Sequence, residues 1–413
     1  MTDDAVGVGR LLIRDLEQVA TPRAGNDLPL RGEALGDVDV VEDAYVLCVD
    51  GRIEDVGPMR QLRGSNEDVL ELDGSGRCAI PGLVDCHTHA CFAGDRVDEF
   101  SLRAGGATYE ELHTAGGGIL ATVRATRAAG ESGLHDLVRR HRDWMLRAGT
   151  TTFEAKSGYG LDRDIELASL RAIRAAGGVP TFLGAHAAPP EFDDADAYLD
   201  FLLAEVLPEA AELAEAADVF VELGAFSVEQ AHRYLVAAGA AGLRLRLHGD
   251  QFTEIGAVGL AIDIGATSID HLEATGDDGI RALATTDVTA VLLPASALFL
   301  ARPMPPARAL VDGGAAVALA TDFNPGSAFC EKLPLVCSLA CTQLRLSPAE
   351  ALSACTVNAA AVLDRADRKG RLAPGYDADV VLLDAPDWRY LAYHLGGDVV
   401  SAVVKDGEPV WQR

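Results

Sequence analysis

A chain of 413 residues, 49% of them hydrophobic, can bury a large core, and one large α/β domain with a smaller accessory domain fits better than one compact unit. Its 63 acidic residues against 35 basic ones leave a net charge of −28, which disfavours binding to nucleic acid or to an anionic membrane through a basic patch. No run of about 18 apolar residues is present to span a bilayer, and the start Met1-Thr2-Asp3-Asp4 lacks the basic and apolar regions of a signal peptide, so a cytoplasmic protein is expected.

The eight cysteines form no CxxC pair, and the default for them is reduced thiols. Cys86 and Cys91 are candidates either for soft ligands or for buried free cysteines. The only lysines are Lys156, Lys332, Lys369 and Lys405. Such an acidic balance opposes compaction at low ionic strength, whereas in molar salt the Debye length is only about 3 Å and the repulsion is screened. Adaptation to a salty cytoplasm is the expectation, with an Arg-favouring genome as the alternative.

In chain order, Leu11 to Ile13, Ala44 to Val49 and Arg52 to Val56 are short aliphatic runs bounded by Gly and Asp turns, and they predict antiparallel strands of a small β-domain. Residues 21 to 40 show no periodicity and are expected to form a mobile insertion. From Pro81 onward short apolar runs alternate with Ala-rich helical stretches, the pattern of βα units on a parallel sheet. Eight strands are predicted: Leu83 to Asp85, Thr151 to Ala155, Pro180 to Leu183, Val219 to Val221, Leu243 to Leu247, Thr267 to Asp270, Val288 to Leu293 and Ala316 to Ala320. Eight is the number that closes a TIM (β/α)8 barrel. Helices over Arg163 to Ala176 and Val228 to Ala238 suit its outer ring, and residues 90 to 149 leave room for extra helices and a substrate-covering loop. A helical tail at Pro348 to Leu363 is followed by strands at Ala378 to Leu383 and Val399 to Val404. These return to the style of the N-terminus, so residues 1–78 and 370–413 are expected to form one composite β-domain around a catalytic barrel of residues 79–369.

Polar side chains collect where a barrel places its active site, directly after the predicted strands: His87 and His89, Lys156, His186, Glu222, His248, His271 and Asp322. His87 and His89 are spaced i, i+2, so in extended chain both point to one side and can grip one metal ion. Each residue alone is equally readable as a helix cap or a satisfied polar group. The whole series points to a metal-dependent active site.

The order HxH, His, His, Asp resembles the amidohydrolase superfamily and, in detail, the imidazolonepropionases of histidine degradation, from about Gly51 to the C-terminus. Its most specific pieces are Asp98-Glu99-Phe100 with Gly106-Ala107-Thr108-Tyr109, Ala115 to Ile119, Lys156-Ser157-Gly158-Tyr159-Gly160-Leu161, Phe182 to His186, and Ala320 to Ser327. The resemblance implies hydrolysis of the cyclic amide of 4-imidazolone-5-propanoate to N-formimidoyl-L-glutamate by a homodimer. It also implies one divalent or trivalent ion, zinc or iron, held by His87, His89, His248 and Asp322, with Asp322 carrying the proton. His271 would stabilise oxyanion charge or, alternatively, hydrogen-bond from behind the ligands. His186, Asn324, Gly326 and Ser327 would touch substrate or product. Arg96 and Tyr159 would hold the propionate and the polar ring edge, although Arg96 is also readable as a solvated surface residue.

Gln251 stands where some family members carry a glutamate. It cannot act as a base but can hydrogen-bond substrate, which leaves the proton work to Asp322 and His271. Lys156 reads either as a carboxylated bridge between two metals or, more simply, as an ion pair with Glu154, Glu222 or the substrate carboxylate. The rival activities are a related metal-dependent nucleobase deaminase and a non-catalytic ligand-binding barrel.

Overall fold

The computed structural model describes residues 9–23, 25, 28–63, 69–106 and 118–413. Of the motif residues named above, Ala107, Thr108, Tyr109 and Ala115 to Gly117 lie outside the described residues.

The N-terminal part supplies β1 (Arg10–Pro22), β2 (Val38–Val49), β3 (Arg52–Pro58), β4 (Leu70–Asp73) and β5 (Cys78–Pro81). The barrel strands follow as β6 (Leu83–Asp85), β7 (Thr150–Lys156), β8 (Val179–Ala185), β9 (Ala216–Val221), β10 (Arg244–Gly249), β11 (Ser268–His271), β12 (Thr289–Leu292) and β13 (Val317–Leu319). The chain ends with β14 (Val380–Leu383), β15 (Val400–Lys405) and β16 (Glu408–Gln412). All eight predicted barrel strands are present, hydrogen-bonded in sequence from β6 to β13 and all parallel. Between β6 and β7 run the helices Val97–Ala104 and Ile119–Arg147.

The barrel closes between its first and last strands just beyond their ends. The Asp85 carboxylate accepts from the Thr321 backbone N–H at 3.2 Å and hydroxyl at 2.6 Å. Asp322 N–H then donates to the His87 carbonyl at 3.1 Å and His89 N–H to the Phe323 carbonyl at 3.0 Å. The seam of the barrel therefore brings the HxH stretch and the distal aspartate into one short patch of parallel pairing.

The other sheet has the order β16-β15-β14-β5-β1-β2-β3, with β4 alongside β1, so the two ends of the chain share it as expected. Its centre is buried on both faces. Along β14, Val380 and Leu382 enter the core of the small domain, whereas Val381 and Leu383 pack on the barrel. That is why the run reads as continuously apolar rather than alternating.

The apolar run from Cys78 to Val84 belongs to two sheets, β5 to the composite sheet and β6 to the barrel. Gly82 separates them, and a Cβ there would meet Thr151 Oγ1 at 2.2 Å. The expectation of a mobile insertion over residues 21 to 40 is corrected for the described part. Leu30 and Leu35 are buried in the barrel core. Asn358 clamps Leu30 by accepting from its N–H at 2.7 Å and donating to its carbonyl at 2.9 Å. Two isolated leucines carry no period, so only the tertiary contact reveals their burial.

Candidate active site

At the C-terminal ends of the barrel strands, His87, His89, His248, His271 and Asp322 converge in one buried cluster. Asp322 Oδ1 lies 3.5 Å from His87 Nε2 and 3.4 Å from His89 Nε2, and His248 Nε2 is 3.3 Å from His89 Nε2. The ligand atoms of His87, His248 and His271 also lie within 4.8 Å of one another. His87 Nε2 is buried with no hydrogen-bond partner, an expensive arrangement unless something else uses its lone pair.

The other faces of these rings explain which nitrogen is left for a ligand. His87 Nδ1 donates to Asp270 Oδ2 at 2.5 Å, and His248 Nδ1 donates to Asp218 Oδ1 at 3.0 Å, so in both rings the lone pair lies on Nε2, facing the cluster. A carboxylate behind a histidine is the usual support of a metal-binding imidazole. Burial drives the pKa of His87 and His89 well down and keeps both rings neutral, the form that binds a metal. Neutral imidazole nitrogens and one carboxylate facing inward fit a metal ion.

Lys156 links the two supporting carboxylates. It is fully buried, with Nζ 2.8 Å from Glu154 Oε1, 2.9 Å from Asp218 Oδ2 and 4.0 Å from Asp270 Oδ2. Burial alone would pull its pKa down, but the carboxylates outweigh it and raise the pKa, so the amine is a cation in a salt bridge. Of the two side chains expected to pair with it, Glu154 does and Glu222 does not. Glu222 instead accepts from the backbone N–H groups of Phe252 and Thr253 at 2.8 and 3.1 Å. Asp218 and Asp270 were missed by the sequence reading, although a carboxylate inside an apolar strand is itself a sign of a buried partner.

His271 ends β11 with φ 88°, followed by Leu272 at φ 70°, and Asp322 has φ 57°. Left-handed backbone at a histidine and a leucine stores strain and is found mostly where function requires it. Burial disfavours a charged His271 ring, but Glu273, whose Oε1 is 3.4 Å from Nδ1, together with the charges of Asp322 and Asp270, more than offsets this and raises the pKa. Burial also raises the Asp322 carboxyl, against the pull of His271 and His248.

Tyr159 and His186 stand beside the cluster. The His186 ring stacks on His89 at 5.3 Å between centroids, and Tyr159 lies 5.8 Å from His89. His186 Nδ1 donates to the Gly158 carbonyl at 3.0 Å, and burial lowers its pKa to about 3, so Nε2 is an acceptor. Asn324 and Ser327 organise the turn after Asp322. Asn324 Oδ1 accepts from the N–H groups of Gly326 and Ser327 at 2.8 Å, and Ser327 Oγ donates to Asp322 Oδ2 at 3.1 Å.

Arg96 is not a free surface residue. It is paired with Glu99 and abuts Gly326, where a Cβ would come 2.4 Å from its Nη1. Gln251 is buried three residues beyond His248 and makes no side-chain hydrogen bond among the described residues. Cys86 and Cys91 are buried thiols outside the cluster.

Residues 78–410 match the model of the amidohydrolase family. An imidazolonepropionase of Rubrobacter xylanophilus is 60% identical over 406 residues, 96% of this chain and 97% of its own length. One of Herpetosiphon aurantiacus is 44% identical, with 97% of this chain and 96% of that protein covered. The solved structure of guanine deaminase from E. coli superimposes with a TM-score of 0.74 over 98% of this chain and 99% of that one. At 17% identity this last likeness speaks for the barrel fold alone and leaves the deaminase alternative unfavoured. With curated relatives matched nearly end to end and the seam of the barrel gathering histidines and an aspartate, the chain belongs to the amidohydrolase family and, within it, to the imidazolonepropionases.

Proposed function

We infer that the chain hydrolyses the cyclic amide of 4-imidazolone-5-propanoate, adding water across the ring C–N bond to give N-formimidoyl-L-glutamate. The observation that carries this reading is the convergence of His87, His89, His248 and Asp322, with two of the rings aimed by Asp270 and Asp218, in a chain of this family. These four residues would hold one metal ion, and imidazole donors with a carboxylate suit zinc or iron. A bound ion of this kind supplies a nucleophile near neutral pH by lowering the pKa of a water towards about 7.

The side chains divide the remaining work. Asp322 takes the proton from the attacking water and delivers it to the leaving ring nitrogen, a task that Gln251 cannot share. His271, held towards its cationic form by Glu273, stabilises the charge that develops on the carbonyl oxygen. His186 Nε2 accepts from the polar edge of the substrate ring, beside Tyr159. Arg96 and the turn from Asn324 through Gly326 to Ser327 form the far wall, and Gln251 adds a hydrogen-bonding amide.

Other readings belong with this proposal. All eight cysteines are free, and Cys337 and Cys355 leave their sulfurs 3.4 Å apart without a bond, which suits a reducing cytoplasm. The homodimer rests on the family resemblance, and the salt-adapted surface on the net charge of −28.

The test follows the ultraviolet absorbance of imidazolonepropionate in molar salt with enzyme before and after chelation. Loss of absorbance that stops on chelation and returns with zinc or iron supports the reading. No loss with a folded, metal-loaded protein overturns it.

A further inference from the structure

Among the described residues the largest fully buried side chain is that of Arg246, on β10 two residues before His248. Side chains at i and i+2 of a strand share a face, so its guanidinium leaves the strand on the same side as the His248 ring. Nη1 donates at 3.2 Å to the carbonyl of Cys86, the residue directly before His87. Nη2 donates at 2.7 Å to the carbonyl of Val362, at the end of the helix Val357–Val362. Nη1 also lies 3.6 Å from Glu154 Oε1, and the other oxygen of that carboxylate accepts from the N–H of Thr88, between the two histidines, at 3.0 Å.

These contacts cross the barrel. β6, which leads into His87 and His89, is the first of the eight strands and β10 is the fifth, so the two stand opposite each other. Ladder hydrogen bonds join β10 to β9 and β11, and β6 to β7. They fix the spacing of neighbouring strands and leave the distance across the barrel to the side chains that fill it. Yet the ligand atoms of these opposing strands have to meet: His248 Nε2 lies 3.3 Å from His89 Nε2, and the His248 and His87 rings are 4.6 Å apart between centroids. An aliphatic side chain would fill the same space without direction. A planar guanidinium fork, bonded at once to two carbonyls and beside a carboxylate, holds a fixed length.

We propose that Arg246 is a positioning residue, a strut across the barrel that sets the separation between His248 and the pair of His87 and His89. Its hydrogen bonds go to backbone carbonyls and to none of the cluster side chains, so it acts through the Cys86 backbone and, beside it, through Glu154. Burying a cation is expensive, and an apolar residue of similar volume often serves stability as well, so the arginine answers a geometric need. The proposal rests on the reading of the cluster as a metal site. Without the strut the ligands remain but their spacing is no longer fixed, which weakens metal binding and slows the chemical step while substrate binding changes little.

The experiment uses the full-length protein loaded with zinc or cobalt(II), as wild type, Arg246→Met, Arg246→Lys and the control Arg365→Met. Arg365 is a partly exposed ion-pair partner of Glu215 at 2.7 Å, so its loss reports what an arginine adds to stability alone. Competition with a chromophoric chelator gives the metal affinity, the visible spectrum of cobalt reports the ligand geometry, and steady-state kinetics separate kcat from KM. Arg246→Met should bind metal roughly 10- to 100-fold more weakly, with an altered cobalt spectrum and with kcat lowered more than KM is raised. Arg246→Lys keeps a cation beside Glu154 but lacks the fork, and should fall between Arg246→Met and wild type. Arg365→Met should keep the wild-type affinity and spectrum. Wild-type affinity and spectrum in Arg246→Met overturn the proposal, and so does an equal loss of metal in Arg365→Met. If Arg246→Met does not fold, Arg246→Lys decides, and wild-type affinity and spectrum there overturn it. A wild type that binds neither ion sinks the metal reading as well, whereas a wild type that binds metal beside unchanged variants sinks this proposal alone.

Discussion

A lysine without exposed surface must recover the several kcal/mol that an ammonium ion loses on leaving water, and Lys156 does so through Glu154 and Asp218, with Asp270 further off. The same cation fixes the carboxylates that aim His248 and His87. Replacing it by methionine keeps the volume but removes the nearest cation from the buried Asp218 and Asp270 and leaves Glu154 only Arg246, at 3.6 Å. Lys156→Met should therefore lose about 3–5 kcal/mol of stability and 10- to 100-fold in metal affinity, read from denaturant unfolding and metal titration. Wild-type values in both would show that the network is dispensable. The residues of the cluster itself were legible in the sequence because each directly follows an apolar run. Their supports were not, because Asp218 and Asp270 sit inside strands and their partners come from other strands of the barrel.

The loop after β7 shows how one element sets the geometry of another. Glu166, in the first turn of the helix Arg163–Ala175, turns its buried carboxylate onto the backbone N–H groups of Gly158, Gly160 and Leu161 at 2.9 to 3.0 Å. Gly158 has φ +97°, and a Cβ there would meet the Leu183 carbonyl at 2.8 Å, so the loop needs glycine at that place. The clamp sets both the Tyr159 ring and the Gly158 carbonyl that orients His186. An amide at position 166 offers one acceptor oxygen and would turn its own N–H groups onto those donors. Glu166→Gln should lower stability by about 1–3 kcal/mol and raise KM more than it lowers kcat, measured by unfolding and steady-state kinetics. An unaltered KM would mean that the loop holds its shape without the clamp.

Elements differed in how much they revealed. The barrel strands were found to within a few residues because each is a short apolar run followed by a polar group. The strands β4, β5 and β16 escaped, β5 because only Gly82 divides it from β6 and a continuous apolar run gives no sign that it changes sheet.

At the scale of the whole molecule, a net charge of −28 acts on folding and on catalysis with different ranges. The repulsion among surface carboxylates is long-ranged, and the Debye length falls from about 10 Å at 0.1 M salt to about 3 Å at 1 M. Buried pairs such as Lys156 with Asp218 are screened much less, so added salt removes more repulsion than attraction. The thermal midpoint should therefore rise between 0.1 and about 1 M potassium chloride. The same screening weakens the repulsion that an anionic substrate meets on approach. On this account kcat/KM for imidazolonepropionate should climb with salt over the same range, and an analogue of it in which a neutral propanamide replaces the propionate should show a smaller increase. A midpoint that falls with salt, or equal salt responses for the two substrates, would mean that the acidic surface governs neither stability nor the approach of substrate.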